Sequence, residues 1–438
     1  MTDTLFSSFA AVKYAGPAST DPMSYRFYNS EEIVMGKPLG EHLRFAVAYW
    51  HSLAMNGSDP FGGATIERPW FQGDPMTAAK QKADAAFELF RVISLPFYTF
   101  HDRDLVHEGA SLKETLANLD TMAEYLASKM KSYETKLLWG TANLFSHPRF
   151  MAGASTNPDP EVFAWSAATV KHCMDITMSL GGANYVLWGG REGYETLLNT
   201  NLKQEAAQFG RFLTMVVDYK HKIGFKGQIL IEPKPKEPSA HQYDFDVATV
   251  YGFLKQFGLE REISVNIEAN HALLAGHSFE HEIATAASLG IFGSLDMNRG
   301  DALLGWDTDQ FPNDLMGTTM AMYHVIKAGG IGMGGLNFDA KVRRQSFTPE
   351  DLIEAHVGAA DLCARAFVLA AKLVEEGEYD ELVADRYAGW QTPDSQKILR
   401  GGMTLEQVAE SALEMQIDPK PRSGRQERLE NMLARKLF

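Results

Sequence analysis

The stretch Ser264–His271, SVNIEANH, decides the fold. It is a short apolar run that ends on Glu268, with an imidazole, His271, three residues further on. The same pattern recurs along the chain. ILIEP ends on Glu232, FGSLDMN carries Asp296, GGLNFDA ends on Asp339, and GWDTDQ carries Asp307 and Asp309. Runs that are apolar on both faces suit a parallel sheet covered by helices. Eight can be placed: Leu43–Tyr49, Ile93–Phe100, Lys136–Ala142, Asn184–Trp188, Gln228–Glu232, Ile263–Glu268, Ile291–Asp296 and Gly335–Asp339.

Segments of helical period lie between these runs: Ala78–Phe90, Leu112–Lys131, Glu161–Leu180, Thr196–Lys222, Asp246–Phe257, Phe279–Leu289 and Asp314–Lys327. Caps and N1 prolines open several of them, as in Asn157–Glu161, Asp244–Asp246 and Thr348–Glu350. Gly181, Gly258 and Gly290 close others. Eight strands alternating with helices predict an α/β fold, a (β/α)8 TIM barrel closed by right-handed crossovers. An irregular N-terminal extension is expected over residues 1–40, the barrel over 41–385, and a C-terminal helical arm over 386–438. The arm has little core of its own, so it is expected to wrap a neighbouring subunit. The polar candidates fall at the C-terminal ends of the strands, the face where barrel enzymes keep their active sites.

The bulk composition narrows the class. Of 438 residues, 45% are hydrophobic and 22% charged, an ordinary globular balance. The net charge is −15, from 41 basic and 56 acidic residues, which disfavours a nucleic-acid binder. Cys173 and Cys363 are too few and too far apart for a disulfide framework, and they fit a cytoplasmic setting. The N-terminus, MTDTLFSSFAAVKYAG, lacks the basic region and sustained apolar core of a signal peptide. No apolar run reaches 18 residues, so no membrane association is expected.

Acidic groups at successive strand ends repel one another unless cations sit between them. Six carboxylates and one imidazole make a site for two divalent ions per subunit, provided one carboxylate bridges. Glu268 is the natural bridge. One ion would take Glu232, Glu268, Asp296 and Asp339; the other would take Glu268, His271, Asp307 and Asp309. Asp307 and Asp309, two residues apart, are expected on the same side of an extended segment. An oxygen-rich set with a single imidazole favours Mg²⁺, with Mn²⁺ or Co²⁺ also fitting, over a structural Zn²⁺. A carboxylate at Asp104 that accepts the Nδ1–H of His101 would fix the ring's tautomer and free Nε2 for a ligand. Lys234, two residues after Glu232, would support a developing oxyanion. Trp50, Trp139, Phe145 and Trp188 follow strands at the same face, and Phe61 lies in the loop after the first. Together they suggest a sugar pocket.

The strings FYTFHDRD, TANLFSHPRF, YVLWGGREGYETLLNTN, IEPKPKEP, NIEANHALLAGHSFEHE, DMNRGDALLGWDTDQFP and GGLNFDAK make the chain resemble the xylose isomerase family, in its longer form with an extended N-terminus. The resemblance covers nearly the whole chain. It implies an aldose–ketose isomerase that interconverts D-xylose and D-xylulose, and more weakly D-glucose and D-fructose. Ring opening would precede a metal-assisted 1,2-hydride shift. It implies His101 and Asp104 as the catalytic pair, Lys234 at the substrate carbonyl, and Trp139 and Val186 as walls that would crowd the extra carbon of a hexose. It also implies a homotetramer in which Phe61 enters a neighbouring pocket and the arm embraces a partner subunit. Rival readings are an isomerase of another aldose, a metal-dependent hydrolase and a non-catalytic sugar binder. A hydrolase would want more histidines at strand ends, and a plain binder would need no metal ligands.

Overall fold

A computed structural model describes residues 5–415 and 418–437. Eight strands close a barrel: β1 (Phe45–Ala48), β2 (Phe97–His101), β3 (Lys136–Thr141), β4 (Asn184–Trp188), β5 (Gln228–Glu232), β6 (Ile263–Glu268), β7 (Phe292–Asp296) and β8 (Leu336–Phe338). Neighbours in the ring are neighbours in sequence, and every pairing is parallel, including the closure of β8 on β1. The fold is the expected (β/α)8 barrel. The strands are buried on both faces, which is why they read as apolar runs rather than as alternating ones.

The connecting helices are α1 (Pro75–Ile93), α2 (Leu112–Tyr133), α3 (Pro160–Ser179), α4 (Leu202–Ile223), α5 (Val247–Phe257), α6 (Ala269–Leu274), α7 (Phe279–Leu289) and α8 (Leu315–Lys327). Their starts are set by side-chain caps. Asp74 accepts from the Thr77 amide, Ser111 from Glu114, Asp159 from Glu161, Asn201 from Gln204 and Asp246 from Thr249. Gly258 and Gly290 end α5 and α7 in the left-handed region, at φ of 69° and 74°.

Several boundaries differ from those expected. Leu43 closes the short helix Leu39–Leu43, so β1 begins only at Phe45. Ile93 belongs to the last turn of α1, and β2 begins only at Phe97, because Pro96 intervenes. The helix expected from Thr196 begins at Leu202, because Asn201 supplies its cap.

The chain forms two compact units, Met1–Ala366 and Phe367–Phe438. The first holds the barrel. The second includes the helices Glu378–Tyr387, Pro393–Leu399, Leu405–Met415 and Gln426–Leu437. Among the described residues, no helix is long and apolar enough to cross a membrane.

Candidate active site

Register places the acids. In the β6–β7 pairing Glu268 stands opposite Asp296, and in the β4–β5 pairing Trp188 stands opposite Glu232. Glu232, Glu268, Asp296 and Asp339 are all buried. Each offers an oxygen to a group whose ligand atoms lie within 4.8 Å of one another. Glu268 also forms such a group with Asp307 and Asp309, and another with Glu232 and His271. It is therefore common to all three groupings in the cavity. His271, in the first turn of α6 straight after β6, lies 3.1 Å from Glu268 and 3.3 Å from Asp307 through Nε2.

Asp307 and Asp309 converge in a different way from the one expected. Asp309 has φ of 41°, in the left-handed region, so the segment is bent rather than extended. Asp309 turns to meet Lys341 Nζ at 3.0 Å and His51 Nε2 at 3.3 Å, while Asp307 meets Lys234 Nζ at 2.5 Å.

Asparagines join the carboxylates from below. Asn266 Nδ2 donates to Glu232 and Asp296, at 3.2 and 2.8 Å. Asn337 donates to Asp296, and Thr99 donates to Asn337 in turn. Asn298 donates to Glu268 at 2.7 Å and to Asp309 at 3.3 Å, which links the two halves of the cluster. Asn270 donates to Asp307 at 2.6 Å. Gly300 makes room for Asn270, since a Cβ there would fall 1.9 Å from its Oδ1. The sequence reading missed this polar layer, together with Lys341 and His51. His51 directly follows Trp50 in a wide π-type turn, Trp50–Ala54, at the mouth of β1. Its Nε2 lies 2.9 Å from Asp339, which also accepts from Trp50 Nε1 at 2.9 Å.

The electrostatics follow from crowding. Burial, and then the neighbouring carboxylates, hold Glu232, Glu268 and Asp296 well above the usual carboxylate range. Burial alone would also raise Asp307, but His271 and Lys234 bring it well below that range. Burial would lower His51, yet Asp339 and Asp309 push it up to about 9. Six carboxylates thus face two ammonium groups, Lys234 and Lys341, and the His51 imidazole, which carries a proton below about pH 9. Two divalent cations would supply the positive charge that is still missing. A buried His271 Nδ1 without a hydrogen-bond partner adds a donor atom to this set. The residues present therefore fit a pair of oxygen-preferring dications.

A cavity of about 190 Å³ opens onto this cluster. His101 lines it, with Nδ1 3.0 Å from Asp104 Oδ2. Arg103 pairs instead with Asp102, which leaves Asp104 to the imidazole. Trp50 and Phe145 pack edge-on against the His101 ring, at 4.5 and 5.5 Å, and Phe145 packs on Trp188 at 4.4 Å. Lys234 Nζ lies 5.2 Å from the Trp188 ring centre. Trp139 and Val186 form the cavity's buried wall. Phe61 is not part of this lining. It is 78% exposed and lies against Trp306 at 5.4 Å.

Fold and cluster together define a (β/α)8 barrel whose aromatic-walled cavity carries an acidic cluster able to hold metal ions, an architecture of sugar isomerases. Relatives bear this out. The chain is 59% identical over 435 residues to a xylose isomerase of Chelativorans sp. strain BNC1, covering 99% of this chain and all of the relative. It is 61% identical over 432 residues to that of Cereibacter sphaeroides strain ATCC 17025, covering 99% of each. Residues 383–437 match the family model described as the XylA2 C-terminal domain. A solved structure from Rhodospirillum rubrum, described as a candidate xylose isomerase, shares the fold. Its TM-score is 0.52 at 12% identity, over 73% of this chain and 98% of that one. The chain belongs to the xylose isomerase family.

Proposed function

We propose that this chain is an aldose–ketose isomerase that interconverts D-xylose and D-xylulose, and more slowly D-glucose and D-fructose. The observation that carries this reading is identity of about 60% over essentially the full length to proteins named xylose isomerase. Glu232, Glu268, Asp296 and Asp339 would hold one divalent ion, and Glu268, His271, Asp307 and Asp309 a second, with Mg²⁺ the first choice and Mn²⁺ or Co²⁺ as substitutes. When bound, the cations supply Lewis-acid polarisation of the sugar's oxygens.

The chain's own residues do the rest. The Asp104 carboxylate accepts the Nδ1–H of His101 and so leaves Nε2 as the basic nitrogen. Nε2 takes the proton of the anomeric hydroxyl and returns it to the ring oxygen, which opens the pyranose. Lys234, buried and held charged by Asp307, stabilises negative charge at the O1 oxygen. Trp50, Trp139, Phe145 and Trp188 keep water from the open chain. The carboxylates and His271 at the strand ends would all be taken up as ligands, which leaves none of them free to abstract the C2 proton and favours direct passage of hydrogen from C2 to C1.

The same reading makes the protein a cytoplasmic homotetramer with Phe61 and the arm 386–438 in subunit contacts. Support comes from the exposure of Phe61, Leu405 and Leu413, and from two buried unpaired thiols, Cys173 and Cys363. A panel of aldoses, assayed with Mg²⁺, Mn²⁺ and EDTA, tests the proposal. Xylose should be the best substrate and EDTA should abolish turnover. Preference for another aldose, or turnover that survives EDTA, would overturn it.

A further inference from the structure

A second group of metal-ligating side chains lies outside the barrel cavity, where α5 and α7 begin. His277 precedes the Ser278 cap of α7, His281 and Glu282 lie in its first turns, and Asp246 caps α5. The two imidazoles are stacked, with centroids 4.6 Å apart and planes 26° from parallel. His277 Nε2 lies 3.2 Å from Asp246 Oδ2, and His281 Nε2 lies 4.0 Å from Glu282 Oε1. Ligand atoms of His277, His281 and Glu282 all fall within 4.8 Å of one another.

Both carboxylates are anchored in a way that leaves one oxygen to spare. Asp246 Oδ1 accepts the Thr249 amide at 2.7 Å, and its Oδ2 faces His277. Glu282 is 3% exposed, and its Oε2 accepts the Val247 amide at 2.8 Å while Oε1 faces His281. Backbone hydrogen bonds of this kind orient carboxylate ligands before an ion arrives. Two helix N-termini oppose a cation here, and two carboxylates offset them.

We propose that His277, His281 and Glu282 form a further cation site, with Asp246 orienting the His277 ring, selective for a borderline ion such as Zn²⁺ rather than Mg²⁺. Two imidazoles with a carboxylate match the usual zinc donors, and the set differs in kind from the oxygen-rich cluster in the barrel. An ion there would tie the first turn of α5 to that of α7. The inference is independent of the sugar chemistry proposed above.

The test uses the full-length protein loaded with Mn²⁺. It is dialysed against micromolar Zn²⁺ in excess Mn²⁺, and crystals treated alike are measured at the zinc absorption edge. Wild type should retain one extra Zn²⁺ per chain, with an anomalous peak between His277 and His281. His281→Asn, at an exposed side chain, should weaken retention by about a hundredfold while leaving isomerase activity with Mn²⁺ unchanged. Asp246→Asn, which keeps a capping residue, should weaken it by at least about tenfold. Zinc density confined to the barrel cavity would overturn the proposal, as would equal retention by wild type and His281→Asn. Retention unaffected by Asp246→Asn would overturn the orienting role given to Asp246.

Discussion

Replacing Glu268 with Gln separates the two jobs that this one carboxylate does. In the metal-free protein its carboxyl sits well above its ordinary value of 4.5, because of burial first and then Asp307, Asp309, Asp339 and Glu232. An acid whose pKa rises on folding subtracts stability as pH climbs above the unfolded value, until the folded value is reached. Each unit of that rise is worth ~1.4 kcal/mol. Gln carries no such penalty, has the same shape and can still accept from Asn298 Nδ2. Stripped of cations, Glu268→Gln should therefore unfold at a higher temperature than wild type at pH 8, with the gap closing towards pH 4. With Mn²⁺ present the order should reverse. Removing one partner of a buried charge pair costs ~3–5 kcal/mol, or about two to four powers of ten in affinity. Both ions should suffer if Glu268 belongs to both subsites, as proposed. Thermal scans with EDTA and with Mn²⁺, joined to titration calorimetry, read all of this. A variant that keeps one ion at wild-type affinity refutes the bridging role. A metal-free variant less stable than wild type at both pH values refutes the crowding argument.

Glu232, Glu268 and Asp296 are raised and His51 is pushed up to about 9, so loading cations at pH 7 must expel protons. Calorimetric heats should therefore differ between phosphate and Tris, and apparent affinity should climb with pH to about 9; identical heats in both buffers would count against the assignment. His101→Asn should cut turnover of cyclic xylose by roughly 10²–10⁴ and that of a substrate locked open far less, so equal losses on both would remove His101 from ring opening. Trp139→Phe should raise the glucose-to-xylose ratio of kcat/KM by roughly tenfold, and an unchanged ratio would show that another wall sets the pocket's length.

The barrel was legible because the parallel strands are two-sided apolar runs, three of which end on a carboxylate, at Glu232, Glu268 and Asp296. The asparagine layer was not. Asn266 and Asn337 sit inside strands, where a single neutral polar residue gives no signal until the neighbouring strand brings a carboxylate beside it. His51 escaped notice for a geometric reason. An extended chain would send it away from Trp50, but the π-type turn lets both side chains reach Asp339. Asp307 and Asp309 were expected together for the wrong local reason, since a left-handed residue, not an extended one, brings them to the cluster. Ile93 was read as strand because apolar residues on a buried helix face and in a buried strand look alike.

The proposed function rests on two divalent ions that share Glu268 at the mouth of the barrel. Crystals grown with Mn²⁺ and measured at the manganese absorption edge test it directly. Two anomalous peaks per chain are expected. One should be ringed by Glu232, Glu268, Asp296 and Asp339, and the other by Glu268, His271, Asp307 and Asp309. A single peak, or two peaks with Glu268 bound to only one of them, would contradict it.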